Sequence, residues 1–412
     1  MTEKLYDKDA YKTEFTAEVL NCEQIDNEYW IILNRTLFFP ESGGQTPDVG
    51  SLVIDKDEKP GCGGCISDGY KAERIEVSDV QIREGVIYHK VSAEIDPGRK
   101  VIGKIDWKHR FDNMQQHSAE HIFSGTVHRL YGYDNAGFHL SDNTVTMDFN
   151  GVLDEEQVRE VESIVNRAIY ENIEIIVSFP TDEECENIDF RSKKEIDGQI
   201  RLVTIPGYDI CACCAPHVRR TGEIGILKVE GFQRYKGGVR VRILCGNRAF
   251  TQFRAEHDLM NKLSVDFSVP YDEIGGRIED LKDEIEKLKS KLIETNRKLS
   301  EIKRNAVPKD KKNVVLVEDE MDAITMRKSV NSLMEEHPGY CGIFAGNAKS
   351  GYRYIIGIKD GDAGIVQGLL KEICDAKGGG SPQMVQGTAQ NINEEDLYNF
   401  WDRLDNVVSG CC

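Results

Sequence analysis

The sequence predicts an α+β protein in four parts. These are an N-terminal small β-barrel over 1–107, an α+β core over 108–248, a helical hairpin or coiled coil over 249–307, and a C-terminal α/β domain over 308–412. Three observations lead there. Residues 13–107 hold short runs of β-forming residues broken by glycine and proline, at the spacing of a small barrel. From 109 to 179 the apolar positions alternate between helical and strand patterns, as an α+β layer requires. From Ile274 to Ile302 apolar residues recur in alternating steps of four and three over four heptads, the seam of a coiled coil.

Each element follows in order. Strands are expected at 13–20, 29–33, 86–91 and 100–107. Between them lies Phe38-Phe39-Pro40-Glu41-Ser42-Gly43-Gly44-Gln45, where two glycines before an amide allow a tight loop, either a plain hairpin turn or a close approach to another group. A helix over 109–131 is supported by Phe111, Met114, Ala119, Ile122, Val127 and Leu130. A strand at 145–149 leads to a second helix at 153–171, opened by Asp154, Glu155 and Glu156, as the helix dipole favours. Strands follow at 173–179, 201–205, 224–230 and 239–244, then a helix at 247–263. The seam helix ends at Pro308. Beyond it, strands at 313–316, 342–344 and 354–358 alternate with helices at 323–336 and 364–376. The glycine-rich stretch 377–387 reads as a loop whose Gly378, Gly379 and Gly380 could approach a phosphate or a sugar edge.

The chemistry centres on two pairs. His117 and His121 stand four apart on the first helix, so their rings share a face. Cys213 and His217 repeat that spacing about a hundred residues on. Together they offer the four soft or borderline ligands of a tetrahedral zinc, one per chain, structural if all four bind permanently and catalytic if one position opens. The twelve cysteines then read as reduced thiols or ligands. Cys62 and Cys65 form a Cys-x-x-Cys that reads as a redox pair or as half a metal knuckle, which could meet Cys211 and Cys214 at a second metal.

The net charge of −19 excludes an indiscriminate nucleic-acid binder. Between His217 and Arg248, however, eight basic residues face two acidic ones, and this island, with Arg219, Arg220, Arg240 and Arg242, suits one specific polyanion. No apolar run is long enough to span a bilayer, and the N-terminus does not resemble a signal peptide, so a cytoplasmic protein without a membrane partner is expected.

Four motifs in order resemble those of the freestanding alanyl-tRNA editing proteins in their long form, and of the editing and C-terminal parts of alanyl-tRNA synthetase. They are Phe39 through Gln45, Arg110-Phe111 through His121, Cys213 through Val218 followed by Thr221-Gly222-Glu223-Ile224-Gly225, and Gly237 through Ile243. The resemblance covers nearly the whole chain. It implies a cytoplasmic, ATP-independent hydrolase of translation fidelity, which deacylates tRNA(Ala) carrying serine or, as a second candidate, glycine. His117, His121, Cys213 and His217 would hold the zinc. Gln45 would line the site, Thr36 would touch the amino-acid side chain, and Glu120 is a candidate base. The C-terminal domain would contact the tRNA, and the coiled coil or that domain would pair two chains. The departure is Cys214-Ala215-Pro216 in place of Gly-Gly-Thr, which removes a threonine hydroxyl and adds a thiol beside Cys213. Two other readings stand beside this one. One is a non-catalytic tRNA-binding protein with structural zinc. The other is a zinc protease using His117-x-x-Glu120-His121, with Glu120 as base and Cys213 and His217 idle.

Overall fold

The computed structural model describes residues 2–55, 72–142, 144–192 and 198–408. The Cys62–Cys65 pair lies outside them. The chain divides into two compact units, Met1–Met260 and Asn261–Cys412.

The first unit begins with a closed barrel. Its strands are β2 (Glu14–Ile25), β3 (Glu28–Leu33), β5 (Gly50–Asp55), β6 (Ala72–Arg83), β7 (Val86–Val91) and β8 (Lys100–Ile105), in the order β2-β3-β7-β6-β5-β8. Two short strands, β1 (Glu3–Lys4) and β4 (Arg35–Thr36), pair beside it. Alternation drives the barrel: Phe15, Ala17 and Val19 of β2 point inward while Glu14, Thr16 and Glu18 stay in water. The twelve-residue strands β2 and β6 shift register at Val19/Asn21 and Val77/Asp79, and such bulges bend long strands enough to close a small barrel.

A second core follows. It contains α1 (Trp107–Tyr131), β9 (Asn135–Leu140), β10 (Val145–Phe149), α2 (Glu155–Glu171), β11 (Ile176–Ser178), α3 (Asp182–Cys185), β12 (Leu202–Ile205), β13 (Asp209–Ala212), β14 (Leu227–Tyr235), β15 (Gly238–Cys245) and α4 (Gly246–Phe267). One sheet runs β14-β15-β10-β9 and another β11-β12-β13. Asp154 caps α2 through a reciprocal bond with Gln157. From Asn113 to Val127 every residue of α1 is buried, so this helix is enclosed on all sides. Its N-terminus is tied to the barrel. The Arg110 guanidinium lies against Asp48, with Nε 2.9 Å from Oδ1, and donates to the carbonyls of Leu37 (2.6 Å) and Ala10 (2.9 Å).

Inside the barrel, His89 Nδ1 donates to the Ile31 carbonyl at 3.3 Å, and the Thr36 hydroxyl donates to its Nε2 at 2.9 Å. Burial pushes this imidazole down to about 4. The unfolded chain takes up a proton near pH 6.5 while the folded one does not until about 4, so stability is lost as pH falls through that window. The loss is about 3 kcal/mol. Denaturant titrations of wild type and His89→Gln should therefore diverge between pH 6.5 and 4, with only the wild type losing this increment.

The second unit holds α5 (Ile274–Asn305), then β16 (Val314–Glu318), α6 (Ala323–Glu336), β17 (Cys341–Asn347), β18 (Gly351–Gly357), α7 (Ala363–Ile373), β19 (Asp375–Ser381), β20 (Met384–Gln390) and α8 (Glu394–Val408). The sheet order is β16-β17-β18-β20-β19. Met326, Val330 and Leu333 of α6 pack with Ile343 and Ile355 in one core. Val366 and Leu370 of α7, with Leu397 and Trp401 of α8, pack with Phe344 and Tyr354 in another. Ile285, Leu288, Leu292 and Ile302 of the seam on α5 are half exposed or more.

Residues 377–387, expected as a loop, form a hairpin instead. β19 pairs with β20, and Gly378, Gly379 and Gly380 stand opposite Gly387, Gln386 and Val385. A Cβ on Gly378 or Gly387 would lie 2.7 Å from the Tyr354 hydroxyl and closer still to the facing carbonyl, so the glycines let two strands cross over that ring. Glycine composition suggested a loop because it carries no information on strand pairing. No helix among the described residues is long and apolar enough to cross a membrane.

Candidate metal centre

The site lies where α1, the 42–45 turn, β9 and the segment after β13 meet. Ser42 and Gln45 pair across Gly43 and Gly44, both left-handed (φ +62° and +84°). This is the two-residue hairpin that twisted strands favour. It is also a close approach: a Cβ on Gly44 would lie 2.2 Å from the Phe138 carbonyl, and the turn bonds to β9 through Leu140 N–H to the Gly44 carbonyl (2.7 Å). Gly44→Ala should therefore cost about 1–3 kcal/mol by strain at positive φ and displacement of β9. A thermal melt together with a zinc titration would register both effects.

His117, His121, Cys213 and His217 offer ligand atoms that all lie within 4.8 Å of one another. Cys213 Sγ is 3.6 Å from His117 Nε2 and 3.4 Å from His217 Nε2. A tetrahedron with zinc–nitrogen and zinc–sulfur bonds of ordinary length has edges of roughly 3.3–3.8 Å. The donor set and its spacing thus fit zinc.

The proton on each imidazole is held away from that centre. His117 Nδ1 donates to Gln45 Oε1 at 2.7 Å, His121 Nδ1 to Asp209 Oδ2 at 2.9 Å, and His217 Nδ1 to Ser118 Oγ at 3.0 Å. This tautomer leaves all three Nε2 atoms free to ligate. Burial opposes the Cys213 thiolate, but His117 and His217 beside it hold the thiol well below its usual range. Cys214 is the reverse, because desolvation and the adjacent Cys213 charge push its thiol up.

His117, His121 and Cys213 border a cavity of about 570 Å³, walled by Ser42, Gly44, Phe138, Arg201, Cys211 and Cys214 among others. Arg201 donates to the carbonyls of Cys213 (2.6 Å) and Ala215 (3.0 Å), which pins the ligand loop. Ser42 Oγ is 3.6 Å from Cys214 Sγ.

The remaining predicted residues are distributed differently. Gln45 is buried against His117, and among the described residues its Nε2 has no hydrogen-bond partner. Glu120 does not face the cavity; its Oε1 accepts from Ser124 (2.6 Å) and Asn135 (2.7 Å). Thr36 is enclosed in the barrel, where its hydroxyl is shared by His89 and the Phe38 N–H. Four of the eight basic residues of the island are matched by acids. Arg240 pairs with Asp148 (2.6 Å) over the Tyr235 ring, Lys228 with Glu162 (2.8 Å), Arg248 with Asp112 (2.5 Å) and Arg219 with Asp9 (3.3 Å). Arg220 donates to the Asn172 carbonyl at 2.5 Å. Arg242 is exposed on the same sheet face as Arg240.

Asp209, Ser118, Arg191 and Arg201 were not foreseen. For Asp209 a signal existed, since strand alternation puts residues 209, 211 and 213 on one side.

A family model described as tRNA synthetases class II (A) matches residues 7–109. One described as the threonyl and alanyl tRNA synthetase second additional domain matches residues 200–242. Alanine–tRNA ligase of Methanobrevibacter smithii is 31% identical over 312 residues, covering 71% of this chain and 33% of that protein. The ligase of Methanopyrus kandleri is 25% identical over 424 residues, covering 98% of this chain and 45% of its own. The chain thus spans a third to under half of the ligases' length. Alanyl-tRNA editing protein AlaX-L of Pyrococcus horikoshii is 26% identical over 419 residues, covering 96% of each chain.

Proposed function

We propose that this chain, a relative of the long-form alanyl-tRNA editing proteins, is an aminoacyl-tRNA deacylase acting in trans on mischarged tRNA(Ala). Its substrate is the ester that joins serine to the terminal adenosine, with glycine as a second candidate. The observation that carries this reading is the convergence of His117, His121, Cys213 and His217 beside a cavity in a chain that matches an editing protein from end to end.

A pocket built for alanine cannot firmly reject serine, which adds only a hydroxyl, so a second site must sort by polarity. Here Ser42 and Cys214 set polar atoms at one wall, while Phe138 and Ala136 make an apolar one. Zinc bound by the four side chains would supply a Lewis-acidic centre that polarises the ester or a water. Gln45, Asp209 and Ser118 hold the imidazole tautomers, and Arg201 holds the loop carrying Cys213. Glu120, bonded to Ser124 and Asn135, is better suited to bracing α1 than to abstracting a proton at the cavity. The same contacts favour the deacylase reading over the protease one, which needs Glu120 as its base.

For the RNA, the exposed face of β14 and β15 with Arg240 and Arg242 is the proposed contact for the acceptor end. Arg219 and Arg220 border the ligand loop. Gly378, Gly379 and Gly380 sit on an edge strand whose outer backbone groups can meet phosphate or a 2′-hydroxyl. The α5 seam serves as a spacer and as the contact between two chains. Arg242→Ala should weaken tRNA binding evenly across sequences and reduce the salt slope by about one. Filter binding over a salt series checks this.

The deciding assay is hydrolysis of Ser-, Gly- and Ala-tRNA(Ala) by wild type and Cys213→Ala. No hydrolysis of any mischarged substrate by the zinc-loaded wild type sinks the proposal.

A further inference from the structure

Of the three imidazoles, only that of His121 leans on a charged group among the described residues. Asp209 Oδ2 accepts a hydrogen bond from its Nδ1 at 2.9 Å, and Asp209 is 7% exposed. Both of its oxygens are also held by Arg191, with Nε to Oδ1 at 2.7 Å and Nη2 to Oδ2 at 2.9 Å. Arg191 is itself anchored by backbone. Its N–H donates to the Ile210 carbonyl (2.8 Å) and its carbonyl accepts from Ala212 N–H (2.9 Å), clamping β13 on either side of Cys211. The approach of Asp209 to α1 needs a gap one turn beyond His121. Gly125 provides it, because a Cβ there would lie 2.8 Å from Asp209 Oδ1 and 2.5 Å from the Tyr208 carbonyl.

We infer that Arg191 is a positioning residue for the metal centre, acting through Asp209 on His121, with Gly125 as the space that lets the relay close. The inference rests on the metal-binding reading of the four ligands. Its physical content is specific. A fork of two donors fixes the carboxylate plane, and a fixed carboxylate keeps the imidazole in one tautomer and one ring orientation, so Nε2 meets the metal without an ordering cost. A lysine at 191 could neutralise Asp209 but not fix its plane. Gln45 and Ser118 perform the same task for His117 and His217 without charge, so the effect of Arg191 is confined to His121.

The test is Zn2+ affinity of the full chain, read by competition with a chromophoric chelator, together with the visible spectrum of the Co2+-substituted protein. Arg191→Ala and Asp209→Ala should each weaken zinc binding about 10–100-fold, the usual cost of losing an outer partner of a metal ligand. Arg191→Lys should recover part of that loss. The double variant should bind no worse than Asp209→Ala alone, because Arg191 acts only through that carboxylate. The Co2+ bands should shift in the Arg191 variants. Melts of the zinc-free proteins guard against simple unfolding. If Arg191→Ala and Arg191→Lys melt early yet bind zinc within about two-fold of wild type, the residue is a brace only and the inference is overturned; fully additive losses overturn it as well. Wild type that binds no zinc would overturn the metal reading itself, whereas wild type that binds zinc but hydrolyses nothing sinks only the proposed reaction.

Discussion

Cys213→Ala is expected to weaken zinc binding and to lower deacylation of Ser-tRNA(Ala) about a thousandfold while leaving tRNA binding in place. The physical basis is the ligand count. Removing the one thiolate leaves three imidazoles, which can still bind a metal but without the anionic donor that neutralises half of its charge. Losing several kcal/mol of charge stabilisation in the transition state corresponds to about 10³ in rate. Cys214→Ala is the matched control. Cys214 Sγ stands 3.6 Å from Ser42 Oγ and is not among the four converging ligands, so zinc should remain. Metal analysis of purified proteins, single-turnover hydrolysis and filter binding separate these outcomes. A Cys213→Ala protein that keeps zinc and full activity would remove the centre from the reaction.

Arg110→Met should lower stability by about 3–5 kcal/mol, the usual cost of stranding one member of a buried ion pair. Arg110 is wholly buried and Asp48 is 1% exposed. The pair joins the α1 N-terminus to the barrel, and Asp48 also accepts the Phe39 N–H at 2.6 Å. Adding Asp48→Asn to Arg110→Met should recover much of the loss. It leaves no buried charge and keeps an acceptor for Phe39. The exposed Arg159–Glu155 pair on α2 is the contrast; Arg159→Ala should cost less than about 1 kcal/mol. Urea unfolding midpoints at neutral pH give all three comparisons. Equal losses for Arg110→Met and the double variant would show that the packing of the arginine stem, and not the stranded charge, sets the cost.

Much of the architecture was legible because it is local. The Glu14–Val19 alternation, the acidic opening of α2 and the four-three steps of the α5 seam each follow from neighbours within a turn or two of the chain. The hairpin at 377–387 was not legible, because its glycines answer to Tyr354 and to a facing strand, which composition cannot report. The pairing of the basic island was hidden in the same way. Its excess charge is real in the chain, but Asp148, Asp112 and Glu162, lying 66 to 136 residues away, meet three of its members.

The centre divides along the same line. The two candidate pairs were readable in the chain, since a spacing of four on a helix sets His117 and His121 on one face whatever surrounds them, and Cys213 and His217, which lie outside any helix, offer the two further donors that a tetrahedral metal would take. Which groups hold those side chains depends on how distant segments pack. Gln45 reaches His117 across 72 residues, Asp209 reaches His121 across 88, and Ser118 reaches His217 across 99. The same packing turned Glu120 toward Ser124 and Asn135, enclosed Thr36 with His89, and brought Arg191 onto Asp209. Periodicity sets the direction in which a side chain leaves its own helix or strand. What that side chain meets depends on how separate elements pack, and that is decided by the burial and pairing of the whole chain.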